Sequence, residues 1–186
     1  MIRSLGDKTP KIHPTAFVSE AAYVVGDVEI GEGSSIWPGT IIRANQNKVK
    51  IGKFVNIQDN CVIHSDAECN YDDYVTIGHH VMCHANTVEE HCLVGNGATV
   101  NGHAIIRHHS VVAAGSVVLE RVEIPPQLLC HGSPCRGTPA GHRATSRNAG
   151  ESSHGVLPQR PEIQGGGASG PRPGEVHRSQ RVNCPR

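Results

Sequence analysis

Branched apolar residues recur every six positions along most of the chain. The positions are Ile12, Val18, Val24, Ile30, Ile36 and Ile42, then Ile51, Ile57 and Ile63, then Ile77 and Cys83, and after a slip of one residue Val88, Val94, Val100, Ile106, Val112, Val118 and Ile124. A period of six matches neither a helix face nor the turn spacing of an isolated hairpin. It predicts an all-β solenoid in which each short strand contributes one residue to a shared interior.

Composition supports a narrow interior and limits the partners. Aromatic residues make up only 3%, too few for an ordinary globular core. With 17 basic and 17 acidic residues, the chain offers no charge excess for nucleic acid or an anionic membrane. No apolar run approaches the roughly 20 residues that cross a bilayer. We therefore expect neither nucleic acid nor membrane as a partner.

The cysteines and the N-terminus favour a cytoplasmic protein. The seven cysteines contain no CxxC pair, and Cys61 and Cys83 lie in or beside the apolar phase. An odd number in a chain of this length is not typical of a disulfide scaffold, so we expect mostly reduced core residues. The N-terminus carries neither an apolar signal core nor an Arg/Ser-rich presequence.

The composition changes near residue 137. Residues 1–137 hold the periodicity and predict a single solenoid domain, whereas residues 138–186 are rich in Gly, Pro, Ser and Arg and contain no aromatic residue. Such a segment buries too little apolar surface to offset the entropy of ordering, so we predict a disordered tail. Within the domain, breaks in the period predict two loops, Ala44–Lys50 and Ser65–Asp73.

Three histidines follow inward-facing positions. His64 follows Ile63, His79 follows Ile77 and Gly78, and His84 lies five residues further on. Because side chains alternate along a strand, all three are expected on the outer wall. Three imidazoles with a fourth position open to water form a catalytic zinc-type site, where the pKa of bound water falls to about 7. Scattered exposed histidines are the alternative, and spacing alone does not decide between them.

A longer motif surrounds these histidines. It consists of Arg43, the run Ile51-Gly52-Lys53-Phe54-Val55-Asn56-Ile57-Gln58-Asp59-Asn60, Ile63-His64, Ile77-Gly78-His79-His80 and His84. This motif resembles the gamma-class carbonic anhydrase family, over roughly residues 8–136. The closing Gly132-Ser133-Pro134-Cys135-Arg136 is similar to that family's Gly-Ser-Pro-Ala-Lys. The resemblance implies a left-handed parallel β-helix of hexapeptide repeats for residues 1–137; the hand comes from the resemblance, not from the period.

The resemblance also implies a homotrimer with a metal site at each subunit boundary. His64 and His84 of one subunit would join His79 of its neighbour around Zn²⁺, or around Fe²⁺ or Co²⁺, which accept the same ligands. Arg43 and Asp59 match an ion pair that braces adjacent subunits in the family. A solvated surface carboxylate is the alternative for Asp59.

Two amides match the family's polar pair beside the metal-bound solvent. Asn56 and Gln58 would orient that solvent towards CO2, which is a positioning role and not acid–base catalysis. A turn residue in a polar ladder is the alternative for Asn56. The family's proton-shuttling glutamate and its acidic loop are not evident here. His80 is a candidate shuttle, since an unperturbed imidazole titrates near pH 6.5, or else an exposed histidine.

Other departures from the family affect the surroundings of the site. Ala44-Asn45 stands where the family usually has Gly-Asp, and Ala85-Asn86 stands where it has Gly-Cys. The family's C-terminal amphipathic helix has no counterpart in the apolar spacing after Arg136. We expect the uncovered flank to expose apolar surface and weaken the trimer.

Three functions follow from these patterns. The first is the reversible hydration of CO2 to bicarbonate by metal-bound hydroxide. The second is a hexapeptide-repeat acyltransferase that uses acyl-CoA, with His91, His103 or His108 as its base. The third is a non-catalytic metal-binding or scaffold protein of the same fold. The Asn-x-Gln-Asp motif followed by histidines favours the first, because an acyltransferase does not need it.

Overall fold

The computed structural model describes residues 1–139, which form a solenoid of parallel β-strands. No helix occurs among these residues, and so none that could cross a membrane. Each turn of the chain passes through three flat faces of about six residues. Leu93 of one turn consequently pairs with Val111 of the next. The all-β solenoid predicted from the six-residue period and the parallel β-helix of hexapeptide repeats implied by the resemblance are both confirmed.

The first and second faces form one continuous twelve-stranded sheet. The strands of the first face are β1 (Ile2–Arg3), the first part of β4 (Tyr23–Ile30), the first part of β6 (Ile41–Ile51), β8 (Val62–Ile63), β11 (Met82–Cys83), β14 (Thr99–Val100) and β17 (Val117–Val118). The strands of the second face are β2 (Lys11–Ile12), the remainder of β4 and β6, β9 (Cys69–Tyr71), β12 (Thr87–Val88), β15 (Ile105–Ile106) and β18 (Glu123–Ile124).

The third face is an eight-stranded sheet. Its strands are β3 (Phe17–Val18), β5 (Ser35–Ile36), β7 (Asn56–Ile57), β10 (Thr76–Ile77), β13 (Leu93–Val94), β16 (Val111–Val112), β19 (Leu128–His131) and β20 (Arg136–Pro139). All pairs within it are parallel except the last, where β20 turns back antiparallel to β19. The hairpin formed by these two strands ends the described solenoid and spans the predicted domain boundary at residue 137.

The interior is a column of the periodic residues. Ile36, Ile57 and Ile77 pair in register on the third face and are completely buried. Burial of such branched side chains is the main source of stability in this fold. Tyr71 is the one aromatic side chain among the largest fully buried ones of residues 1–139, and the others are isoleucines and valines. Aliphatic side chains therefore fill this core, and few aromatic residues are needed.

One corner of the solenoid carries a stack of rings. Phe54, Tyr74, His91 and His109 each have a positive φ, as the sharp turn at a corner requires. The rings of Phe54 and Tyr74 lie 5.3 Å apart, those of Tyr74 and His91 4.9 Å apart, and those of His91 and His109 4.9 Å apart. His91 is therefore part of a structural ladder, which lowers its value as a candidate base.

The two predicted loops differ from the structure. The prediction of a loop at Ala44–Lys50 is wrong, because these residues continue β6 across the corner alongside β4. The pairing shifts between Gly26 and Val28, so the extra residues are absorbed as an irregularity of the strand pair. Ser65–Asp73 is only partly a loop, since it contains β9.

The cysteine prediction holds for four residues and fails for two. Cys61, Cys69, Cys83 and Cys92 are buried free thiols. Burial raises the pKa of Cys61 to about 11 and those of Cys69 and Cys92 to about 12, so these thiols stay protonated and inert. Cys130 and Cys135 instead form a disulfide, because the hairpin of β19 and β20 brings their Cα atoms to 5.5 Å. Cys184 and the rest of the predicted disordered tail beyond residue 139 lie outside the described residues.

We predict that Gly26→Ala destabilises the solenoid by about 2 kcal/mol or more, because φ is +91° there and a Cβ would meet the Ala44 carbonyl. Gly102→Ala is the matched control, since a Cβ at that glycine meets nothing within 4 Å. Urea unfolding of both variants at equal protein concentration measures the difference. Equal midpoints for the two variants would contradict the close packing of β4 on β6.

Candidate metal centre

The candidate ligands lie at opposite ends of one strand. His79 precedes β11 at one corner of the solenoid, and His84 follows it at the other end of the first face. Five residues of largely extended chain span up to about 16 Å. No group of three or more histidine, cysteine or acidic side chains among residues 1–139 could hold a metal ion. Within one chain the predicted ligands are therefore divided between two half-sites.

The first half-site contains His64 and His84. Ile63 of β8 pairs in register with Cys83 of β11, so the histidines that follow them lie on adjacent turns. Their ring centroids are 4.8 Å apart with the planes at 78°. His64 was expected on the open outer wall, but it is only 7% exposed, because it lies between the neighbouring turns outside the apolar core.

A main-chain carbonyl of the preceding turn fixes the tautomer of His64. Its Nδ1 lies 2.8 Å from the Arg43 carbonyl oxygen. A carbonyl oxygen can only accept, so Nδ1 carries the proton and donates it. The lone pair is thus on Nε2, the nitrogen available to a metal ion.

The environment of His84 favours the neutral imidazole. Burial, and to a smaller extent the adjacent His64, lower the pKa of His84 below its ordinary value. A metal ligand must be deprotonated, so this shift keeps His84 available for binding at a lower pH than an exposed imidazole. The first half-site therefore places the His84 imidazole, with its lowered pKa, beside the His64 imidazole on the adjacent turn.

The second half-site contains His79 beside Asp59. The His79 Nδ1 lies 3.0 Å from Asp59 Oδ2, and both side chains are partly exposed. The carboxylate accepts a hydrogen bond from Nδ1–H, and in the neutral imidazole this tautomer has its lone pair on Nε2. Both residues border a cavity of about 200 Å³ that Trp37, Asn56 and Gln58 also line.

Two hydrogen-bond donors hold the amide oxygen of Asn56, which lines this cavity. Its Oδ1 accepts a hydrogen bond from Trp37 Nε1 at 2.9 Å and another from the Ser35 hydroxyl at 3.2 Å. The side chain is buried, and Ser35 pairs with it in register between β5 and β7. The predicted amide pair, Asn56 and Gln58, is thus brought to one cavity together with His79 and Asp59.

Other predicted site residues are not brought together in one chain. Asp59 contacts His79 and not Arg43, whose Nη1 donates instead to Asn45 Oδ1 at 2.6 Å. An Arg43–Asp59 ion pair between subunits stays a prediction. His80 is exposed at the corner next to His79, with its backbone N–H bonded to the Asp59 carbonyl, and its shuttle role also stays a prediction.

A second cavity, of about 380 Å³, opens beside His84. It is lined by Asp66, His84, Asn101, Gly102, His103, Leu119 and Glu120. Of the three histidines considered as an acyltransferase base, this cavity contains only His103. Sequence reasoning found no feature that selects among them, because the cavity forms from side chains on adjacent turns.

Two contributors were missed from the sequence. Trp37 lines the His79 cavity and bonds to Asn56, and Asn45 holds the Arg43 guanidinium. The turn that contains Ser35 pairs with the turn that contains Asn56, 21 residues later, whereas Leu93 and Val111 differ by 18. Trp37 could have been found only by aligning turns of unequal length.

Comparison with known proteins gives relatives that include carbonic anhydrases and, at 34% identity over 131 residues, the carnitine operon protein CaiE of Escherichia coli. The chain is 39% identical over 139 residues to mitochondrial gamma carbonic anhydrase 2 of Arabidopsis thaliana, covering 70% of this chain and 50% of the relative. It is 39% identical over 121 residues to a probable carbonic anhydrase of Methanocaldococcus jannaschii, covering 64% of this chain and 76% of the relative. No family model matches. The chain spans about half the length of gamma carbonic anhydrases 1 and 2 of Arabidopsis thaliana.

Solved structures show the same architecture under a different description. A hexapeptide transferase family protein from Anaplasma phagocytophilum superposes with a TM-score of 0.79 at 30% identity, over 83% of this chain and 92% of that one. A proposed acetyltransferase from Bacillus cereus gives a TM-score of 0.78 at 31% identity, over 84% and 92% of the two chains.

We predict that Asp59→Ala lowers zinc affinity about 10- to 100-fold, because the carboxylate fixes the tautomer and ring orientation of His79. Asp72→Ala removes an exposed carboxylate elsewhere and is the control. Competition with a chromophoric chelator measures both affinities. Equal affinities for the two variants would exclude the support of a metal-binding His79 by Asp59.

Proposed function

This chain belongs to the gamma-class carbonic anhydrase family, and on that premise we propose that it hydrates CO2 reversibly to bicarbonate at a divalent-metal site shared between subunits. The observation that carries the proposal is the state of two imidazoles. His64 and His79 each direct Nδ1–H to an oxygen acceptor, which leaves Nε2 as the nitrogen that can bind a metal ion; at His64 the Asp66 carboxylate lies 3.7 Å from that Nε2. Scattered surface histidines have no reason to be prepared in this way.

The division of the ligands supports a site between subunits. Since His79 and the His64–His84 pair occupy opposite edges of the same face, one copy could complete its half-site only with the opposite edge of another copy. Such a contact joins two different patches, and it closes into a ring when the rotation between copies is right. A homotrimer is the closed ring that the family resemblance implies.

An apolar stripe between the two half-sites supports the same assembly. Tyr23, Ile41, Val62 and Met82 pair in register across the first face and point outward. The first three are 39–40% exposed, which is high for large apolar side chains placed side by side. Burial of this stripe against another copy would bring the edges of neighbouring subunits together.

The donor set fits Zn²⁺, Co²⁺ or Fe²⁺. Three neutral imidazole nitrogens, His64 and His84 of one subunit and His79 of the next, would hold the ion and leave a position open. The ion supplies Lewis acidity and lowers the pKa of a bound water towards neutrality. The chain's own residues orient His64 and His79, burial lowers the pKa of His84, and Asn56 and Gln58 offer amides to oxygen atoms in the adjoining cavity.

An acyltransferase is the second candidate. The observation in its favour is the likeness to structures described as transferases, together with the His103 cavity of about 380 Å³. His103 would act there as general base on a hydroxyl or amine. Acetyl-CoA turnover that depends on His103 and persists after removal of all metal would replace the first proposal with this one.

We predict that His84→Ala abolishes CO2 hydration and tight zinc binding while the β-helix stays folded, because a two-histidine site lacks the affinity of three imidazoles. His13→Ala removes an exposed imidazole on another turn and is the control. Stopped-flow hydration, zinc content and circular dichroism are measured on the same samples. Full zinc content in His84→Ala would contradict the ligand assignment.

We predict that two inactive variants restore each other when their subunits are mixed. His84→Ala keeps an intact His79 edge, and His79→Ala keeps an intact His64–His84 edge. When equal amounts of the two variants assemble at random, about three in four trimers contain both variants. Each mixed trimer holds one complete site out of three, so hydration recovers to about one quarter of the wild-type value. Co-refolding the variants and measuring hydration tests this. No recovery in verified mixed trimers would place the site within one chain.

A further inference from the structure

Trp37 is the single tryptophan of the chain, and it lines the His79 cavity. Its indole Nε1 donates to Asn56 Oδ1 at 2.9 Å. The ring packs against Phe17 with centroids 5.4 Å apart. The indole therefore has both a packing contact that holds it and a polar contact with a candidate site residue.

The indole distinguishes the amide oxygen of Asn56 from its NH2 group. An indole N–H can donate but cannot accept, so the Asn56 atom that faces it must be the amide oxygen. The Ser35 hydroxyl also contacts that oxygen, at 3.2 Å, but a hydroxyl can donate or accept and would suit either orientation. Of these two partners, Trp37 alone selects the orientation.

We propose that Trp37 is a positioning residue that keeps the amide NH2 of Asn56 directed into the His79 cavity. With the amide oxygen bound at the base, the NH2 group is the end that remains for the space shared with Gln58, Asp59 and His79. Resting on the proposed function, the group that it meets is an oxygen of bicarbonate or of CO2. A donor stabilises negative charge on such an oxygen, whereas a flipped amide would present its own oxygen and repel it.

Burial makes the selection effective. Asn56 is buried, so a flip would place its NH2 group against the Trp37 N–H and leave that N–H only its longer contact with Ser35 Oγ, at 3.3 Å in place of 2.9 Å. An unmade buried hydrogen bond costs more than an exposed one. Replacing the indole by a ring that lacks the donor removes this cost and lets both orientations be populated.

Trp37→Phe tests the proposal, because phenylalanine keeps a ring against Phe17 but has no donor. Ser35→Ala is the matched variant that removes the other partner of the same oxygen, together with the longer contact of the indole N–H with Ser35 Oγ, and leaves the indole–Asn56 hydrogen bond in place. The first readout is the Asn56 side-chain amide signal in the ¹⁵N spectrum of the metal-free protein, assigned by its disappearance in Asn56→Asp. The second is kcat/KM for bicarbonate dehydration by the zinc-loaded protein, with zinc content and thermal unfolding measured alongside.

We expect Trp37→Phe to shift or broaden the Asn56 amide signal and to lower kcat/KM about tenfold at unchanged zinc content. Ser35→Ala should lower kcat/KM by no more than about threefold, since the indole still selects the orientation. An unchanged Asn56 signal in Trp37→Phe would overturn the proposal, and so would an unchanged kcat/KM. If the wild-type protein shows no hydration, the proposed function fails, and the metal-free amide signal alone decides whether Trp37 positions Asn56.

Discussion

Parallel backbone pairing between successive turns is the constraint on which the rest of this structure depends. The Asn56 N–H donates to the Val75 carbonyl and the Thr76 N–H to the Cys92 carbonyl, each at 2.9 Å, so every turn is held in register by the next. Since each strand has one residue facing inward, the register places branched side chains in one column and the residues that follow them in another. The core and the candidate site are two consequences of the same stacking.

The stacking prepares the site without help from flexible segments. His64 lies against His84 because their strands pair, and its tautomer is set by a backbone carbonyl one turn away. Asn56 receives Ser35 and Trp37 from the preceding turn in the same way. Groups held by the main chain of neighbouring strands need little reorganisation when a ligand binds, which is the condition for effective orientation and electrostatic stabilisation.

What the sequence could predict follows from this regularity. The six-residue period identified core residues such as Ile57 and Ile77, and it placed the three histidines outside the core. It could not predict that β6 continues across a corner, because a strand that bends without a turn leaves no glycine or proline signal. It could not pair Trp37 with Asn56, because the turns differ in length. It also could not show that Asp59 supports His79 within one chain, since that contact depends on side-chain direction at a corner.

A rigid solenoid with divided half-sites has a further physical consequence. The side chains within a turn cannot move by the width of a face, so the proposed ligand set would be completed by association and not by a conformational change. Metal binding and assembly would then be thermodynamically coupled. Each ion would stabilise the subunit contact that supplies its third imidazole, and each contact would raise the affinity for the ion. The buried Ala44 and Ala85, where the family has glycine, lie in the core beside these edges. Their methyl groups therefore act on the packing of the turns that carry the ligands, and the differences from the family at these positions affect how firmly the half-sites are held more than which atoms they present.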